Sequence, residues 1–447
     1  MGRQSSNNVG QRPASDVSVA TGIVGLAALC ACLVFAHFWP FITRALAISA
    51  PAEPLSGPVM SLVTMLFVAL MMGLWAVLVE KVHRNASTGI DWTQRLKFSE
   101  TREISFTKLA GLWITWGVIA AVYCLLRFYW DGSFLFAMNV LSAAALPLFL
   151  LSIPYVLWLD RYLVQPRDRV WHFGAMLTGA ASWDRAKVAE HWRGWAIKGF
   201  FGAFMLSILP GGFAAVVERD YTAIFTNPAT AATALIDLIF VIDVQIGTVG
   251  YLLTLRPLDA HIRSGNPFLG GWVAALICYP PFVWGLMGRA DVLSYQVHTS
   301  GWASWTAMWP VLGWIWAVWL VGLTAAYAWA TMAFGIRFSN LTYRGVVTNG
   351  PYRFTRHPAY LSKNIFWWCS VLPFLVTNGS LVDSVRNTAL LGVVSAIYYW
   401  RARTEEDHLL REDAKYRAYY DWMAQHGCIT RRLEALWARF NPFKSAA

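Results

Sequence analysis

FLFAMNVLSAAALPLFLLSIPYVL, residues 134–157, contains no charged side chain. About 20 apolar residues at 1.5 Å each cross the roughly 30 Å of hydrocarbon in a bilayer, so this stretch reads as a transmembrane helix. Comparable stretches lie on both sides of it, at 17–38, 58–79, 108–129, 197–217, 230–254, 268–287, 304–335, 361–377 and 387–401. The expected fold is therefore all-α: a polytopic integral membrane protein of about ten transmembrane helices, followed by a carboxyl-terminal amphipathic helix. The whole composition agrees, with 57% hydrophobic and only 14% charged residues and a mean hydropathy of +0.44, far from the mix of soluble domains.

A net charge of +11 raises the question of nucleic acid, and the location of the basic residues answers it. With the amino terminus inside, all but Arg44, Arg127, Arg219, Arg289 and Arg386 of the 36 Lys and Arg fall on the cytoplasmic side. This is the positive-inside asymmetry of a membrane protein. It places both termini in the cytoplasm, in the manner of a bacterial inner-membrane protein, with lipids and not nucleic acid as surroundings. The six cysteines show no paired metal spacing, so neither a disulfide framework nor a metal site is expected.

Four regions follow. Residues 1–16 are polar and read as a disordered cytoplasmic amino terminus, 17–300 as a transmembrane region of unassigned role, 301–428 as a distinct membrane domain and 429–447 as a basic cytoplasmic tail. The charged connections 80–107 and 158–196 are long enough for surface helices, a break is expected near Pro310, and Pro280-Pro281 kinks the seventh span. The segment RPLDAHIRSGNP, 256–267, reads as irregular cytoplasmic surface. Inside the sixth span stand Asp237, Asp243 and Gln245. Ionisable groups at membrane depth are substrate-site candidates, but six residues apart the two carboxylates point about 120° from each other and do not form a dyad. Pairing with a buried arginine is the competing reading.

The chemistry is concentrated in two polar elements. The first, GIRFSNLTYRGVVTNGPYRFTRHPAY at 335–360, combines glycines that allow close backbone approach with the donors Arg353, Arg356 and His357. Pro358 suits a first helical turn, so His357 stands at the positive end of a helix, a cradle for an anion. The plainer reading is a basic flank that orients the chain. The second element, RARTEEDHLLREDAKYRAYYDWM at 401–423, opens with Thr404 and Asp407 at capping-box spacing, as if a new helix began there. On that helix Glu405 shares a stripe with Leu409, Tyr416, Tyr420 and Met423, while Glu406 lies about 100° away.

Taken together, Gly350-x-Tyr352-Arg353, Arg356-His357-Pro358-x-Tyr360, Glu405-Glu406-x-x-Leu409-Leu410 and Tyr416-x-x-Tyr419 resemble the isoprenylcysteine carboxyl methyltransferase family and its phospholipid N-methyltransferase relatives. The likeness covers about residues 335–425. It implies an enzyme that uses S-adenosyl-L-methionine to methylate a lipophilic substrate entering from the bilayer, most like the carboxylate of an isoprenylcysteine, or alternatively a lipid amine. By the same resemblance Val347, Gly350, Tyr352, His357, Pro358, Tyr360 and Glu405 or Glu406 bind the cofactor. Arg356 pairs a carboxylate of cofactor or substrate, His357 stands beside the methyl donor, and Arg353, Asp237 and Asp243 are substrate candidates. Two departures are visible. Ser362 stands where the family has glycine, and the glycine expected before Tyr416 is missing, so the last helix is expected to run on where relatives bend. Two other readings stay open: a sterol-reductase-like enzyme using NADPH, and a non-catalytic lipid-binding or transport protein. No Gly-x-Gly-x-x-Gly is present, so a cofactor has no Rossmann unit to bind.

Overall fold

The computed structural model describes residues 11–49, 53–180, 182–287 and 292–440; residues 1–10, Arg289 and the end of the basic tail lie outside these. In chain order the helices are α1 (Val19–His37), α2 (Trp39–Ala45), α3 (Pro58–Leu78), α4 (Phe98–Leu125), α5 (Phe134–Leu159), α6 (Arg169–Leu177), α7 (Arg185–Val217), α8 (Pro228–Leu252), α9 (Leu269–Leu276), α10 (Phe282–Leu286), α11 (Gly301–Thr306), α12 (Pro310–Phe334), α13 (Pro358–Val371), α14 (Leu381–Glu412), α15 (Ala414–His426) and α16 (Thr430–Phe440). Proline occupies the first turn of α3, α8, α12 and α13, where its missing N–H leaves no bond unmade. Among the described residues seven helices, α1, α3, α4, α5, α7, α8 and α12, are long and apolar enough to cross a membrane. The chain is a polytopic helical membrane protein.

The other three expected spans take different forms. Residues 268–287 are split into α9 and α10 at Pro280 and Pro281. The ninth is α13, whose 14 residues extend only about 21 Å. The tenth is the middle of α14, a helix of 32 residues that continues through Arg401 and both glutamates. Thr404 therefore begins no helix; its hydroxyl donates back to the Arg401 carbonyl. The chain bends later, at Asp413, whose side chain accepts from the Lys415 amide and caps α15, so the expected uninterrupted run past 412 does not form either.

The main apolar core joins α1, α3, α7 and α8 around Leu29, Met72, Phe213 and Ile246. Against it the polar segment 335–357 is held by the 256–267 connection, which is not a surface: Asp259 and Asn266 are fully buried. Its strand β1 (Ser264–Gly265) pairs antiparallel with β2 (Thr342–Tyr343). Residues 13–16 also pack against the polar segment. Asp16 and Val346 exchange two bonds, amide to carbonyl and amide to carboxylate, each 2.8 Å, and Lys415 donates to the same carboxylate. The buried backbone donors of Val346 and Thr348 thus find partners in Asp16 and Ser15, and the Thr348 hydroxyl donates to the Pro13 carbonyl, so residues 13–16 and α15 meet the 335–357 segment on one face of the bundle.

The segment lies tight against α8 at Gly250, where a Cβ would stand 2.4 Å from the Phe338 carbonyl oxygen. Gly250→Ala is expected to destabilise the protein by about 1–3 kcal/mol by pushing the 335–348 segment away from α8. Gly322→Ala, at a position with open space, is expected to melt as the parent does. Thermal unfolding of both variants in detergent checks this; equal melting would mean that the segment is not seated on α8.

Candidate active site

Beside the contact of residues 13–16 with the 346–348 stretch lies a cavity of about 1250 Å³, its open mouth included, ample for a small-molecule ligand. Its walls come from the 337–347 segment, the starts of α13 and α15, the end of α12 and the carboxyl-terminal half of α14. Seven tyrosines line it, among them Tyr352, Tyr360, Tyr416 and Tyr419. The charged lining residues are Arg337, Arg344, Arg356, Lys363, Arg401 and Glu405.

The two adjacent glutamates do different things. Glu405 lines the cavity: its Oε1 accepts from the Tyr360 hydroxyl at 2.5 Å and from Arg401 Nε at 3.4 Å. Glu406 is buried behind the wall with its side chain 2% exposed. It accepts from Arg356 Nε at 2.7 Å, from His357 Nε2 at 2.9 Å and from Arg403. Burial would raise its pKa, but the His357 bond and charge, then Arg356 and Arg403, hold it down to about 2. The sequence-derived division between a ligand-facing Glu405 and an off-axis Glu406 thus matches the geometry of the lining. Its stated reason does not, because α14 and α15 are separate helices and share no stripe.

Arg356 is tied into the wall by the protein's own groups. Besides Glu406 it donates through Nη2 to Glu434 of α16 at 2.6 Å, and its guanidinium lies 4.0 Å from the centre of the Tyr420 ring. Two of its three nitrogens thus serve the protein's own carboxylates. The third, Nη1, is buried with no partner. His357, tied to Glu406 by Nε2, lies nearly parallel to the Tyr360 ring with centroids 5.8 Å apart.

The other arginines are also engaged through two nitrogens each. Arg337 donates to Asp259 at 2.7 Å and to the Arg344 carbonyl at 3.1 Å. Arg344 is buried among the carbonyls of Gly250, Ala260, Ile336 and Phe338. Arg401 holds Glu405 and, at 2.5 Å, the Asn340 side chain. His408, bonded to Ser264 at 3.0 Å, is pushed down to about 4 by burial and by Arg193 and is neutral. Deeper in, the Lys363 amine sits between the rings of Trp367 and Tyr398, 5.1 and 5.2 Å from their centres.

Val347, Tyr352, Arg356, His357, Tyr360 and Glu405 thus converge on one cavity. Gly350 and Pro358 do not line it; Gly350 packs on Trp329 and Ala333 with φ +56°, and Pro358 is the buried first residue of α13. Ser362 lines nothing, its hydroxyl donating to the Pro358 carbonyl at 2.8 Å. The substrate candidates fare worse. Arg353 is exposed over the Phe354 ring, Asp237 is ion-paired with Arg219, and Asp243 accepts from Thr331, which lines the cavity while Asp243 does not. Sequence reasoning missed Arg337, Asn340, Arg344, Lys363, Arg401 and Glu434. The first three stand inside the quoted polar run, but nothing in their spacing announces partners as distant as Asp259.

No curated protein and no solved structure matches the chain, and no methyltransferase family matches it. Residues 291–423, the part that supplies most of the cavity, match the family described as Protein of unknown function (DUF1295).

Proposed function

We propose that the cavity binds S-adenosylmethionine and that the protein transfers its methyl group to a lipophilic acceptor arriving from the bilayer, most like an isoprenylcysteine carboxylate. The carrying observation is the state of the four lining arginines: each has at least two nitrogens engaged by the protein. None keeps the free fork that grips a phosphate, whereas a dinucleotide would bring several phosphates. Two nitrogens of these arginines are buried and unpartnered, Nε of Arg344 and Nη1 of Arg356; the second, at the tip of its guanidinium, suits a single carboxylate such as that of the cofactor's methionine part. Glu405 offers acceptors for a ribose or an amino group, and tyrosine rings suit a sulfonium.

The bound cofactor supplies a methyl group on a good leaving group. What remains for the chain is to align the acceptor and keep water away. A carboxylate acceptor needs no base. A lipid amine, the alternative acceptor, would have to lose a proton, which His357 would take at Nδ1 of its neutral ring while Nε2 keeps its bond to Glu406. The basic face and both termini are assigned to the cytoplasm of an inner-membrane protein, where the cofactor is made.

A second reading draws on the family match, since that family in general includes steroid 5-alpha-reductase-like membrane proteins: an NADPH-dependent reductase. Titration of the purified full-length protein with S-adenosylhomocysteine and with NADPH decides. Saturable binding of the first alone is expected. Binding of NADPH alone would overturn methyl transfer in favour of reduction, and binding of neither would leave a lipid-binding or transport protein.

A further inference from the structure

We infer that the amino-terminal region carries a second ligand site, between α7 and α8, for an uncharged membrane-soluble alcohol. Gln245 is 1% exposed, and both its Oε1 and its Nε2 are buried without a hydrogen-bond partner. An unpaired buried donor or acceptor is costly, and hydrocarbon offers no water to relieve it. Such a side chain calls for a partner, and it has room for one. Gln245 lines a pocket of about 430 Å³, open mouth included, whose other walls are apolar side chains such as Ile208, Leu209, Val241 and Val244. No residue is shared with the lining of the first cavity.

The shape of the pocket follows from its small residues. Gly212 contributes no side chain where a Cβ would already touch Val241 at 3.3 Å, and Ala215 at the rim is exposed. Phe240, also on the rim, is 40% exposed. These exposed positions lie on spans long enough to cross the membrane, so the mouth opens toward lipid and the occupant reaches it from the bilayer.

The chemistry of the occupant follows from the charges. Asp237 is the only ionisable residue of the lining, and Arg219 already neutralises it. Gln245 lies eight residues, about 12 Å, along the helix from it. At the inner end nothing compensates a charge, and the amide offers one acceptor and one donor side by side. A hydroxyl fits both, donating to Oε1 and accepting from Nε2. Apolar walls take the hydrocarbon body. A charged headgroup would pay desolvation without a counter-ion, and a plain alkane would leave the amide unpaired.

Photolabelling of the full-length protein in lipid nanodiscs tests this, with a diazirine-bearing long-chain alcohol, its methyl ether and the parent hydrocarbon as probes. The alcohol is expected to label peptides spanning 208–215 and 237–245 at least tenfold more than the hydrocarbon, with the ether between them, and unlabelled alcohol is expected to compete. Gln245→Leu, which removes the unpaired amide and so should fold at least as well as the parent, is expected to reduce labelling by the alcohol about tenfold. Ala215→Phe, at an exposed rim position, is expected to abolish it by filling the mouth. Equal labelling by alcohol and hydrocarbon, or undiminished labelling of Gln245→Leu, would overturn the proposal. Because the site shares nothing with the first cavity, binding of S-adenosylhomocysteine is expected to be unchanged in both variants.

Discussion

Replacing Glu406 by glutamine is expected to cost the folded protein on the order of 3–5 kcal/mol, the range for breaking a buried ion pair and leaving its partner uncompensated. Glu406 is the shared acceptor of Arg356, His357 and Arg403, and through Arg356 it ties the end of α14 to α16. The amide keeps one acceptor oxygen but loses the charge and turns two N–H donors toward a cluster of donors. Glu405→Gln is milder, because an amide oxygen still accepts from Tyr360 and Arg401. Thermal unfolding in detergent should rank Glu406→Gln well below Glu405→Gln. The pH dependence carries the same signature. The pKa of Glu406 falls from an ordinary 4.5 to about 2 on folding, so its contribution is fully present above about 4.5 and is lost as pH drops toward 2. The variant should lack this acid-limb loss. A Glu406→Gln protein that melts with the parent would mean that the cluster does not hold α14 and α16 together.

The relation between these two glutamates also marks how far the sequence could be read. Long uncharged runs fix helices directly, because a bilayer leaves the backbone almost no alternative; hence the spans at 19–37, 58–78, 134–159 and 228–252 lie close to where hydropathy put them. Boundaries set by tertiary packing were less legible. Thr404 and Asp407 have the spacing of a cap, but Tyr398 and Arg401 are buried and keep α14 running through them. The polar segment 335–357 was visible as unusual, and four of its predicted residues, Val347, Tyr352, Arg356 and His357, line the cavity. Its supports were invisible because they are non-local: Asp259 under Arg337, Asp16 against Val346, Glu434 against Arg356. Residues 256–267, polar enough to pass for a surface loop, are buried because the arginines of the motif need their carboxylate and carbonyls.

Arg356→Lys is expected to weaken binding of S-adenosylhomocysteine by the folded protein about 10- to 150-fold, the equivalent of a charged hydrogen bond worth roughly 1.5–3 kcal/mol. In the parent Nε and Nη2 are spent on Glu406 and Glu434, leaving Nη1 buried and unpartnered on a side chain that lines the cavity. Lysine is not equivalent, because its compact ammonium cannot span two protein carboxylates and a ligand in the planar geometry of a guanidinium. Some stability is lost for that reason alone, so affinity has to be measured on the folded fraction, by calorimetry on protein that elutes as a single detergent-solubilised species. His357→Ala supplies the control for crowding at Glu406: it removes one donor from that carboxylate but leaves Arg356 and its free nitrogen in place, and is expected to weaken binding less. If Arg356 is only a strut between α13, α14 and α16, lysine will lower the melting temperature and leave the affinity of the folded fraction as it was. That outcome would remove the carboxylate contact from the proposed site and leave the engaged forks of the lining arginines as the ground for preferring a single-carboxylate cofactor to a dinucleotide.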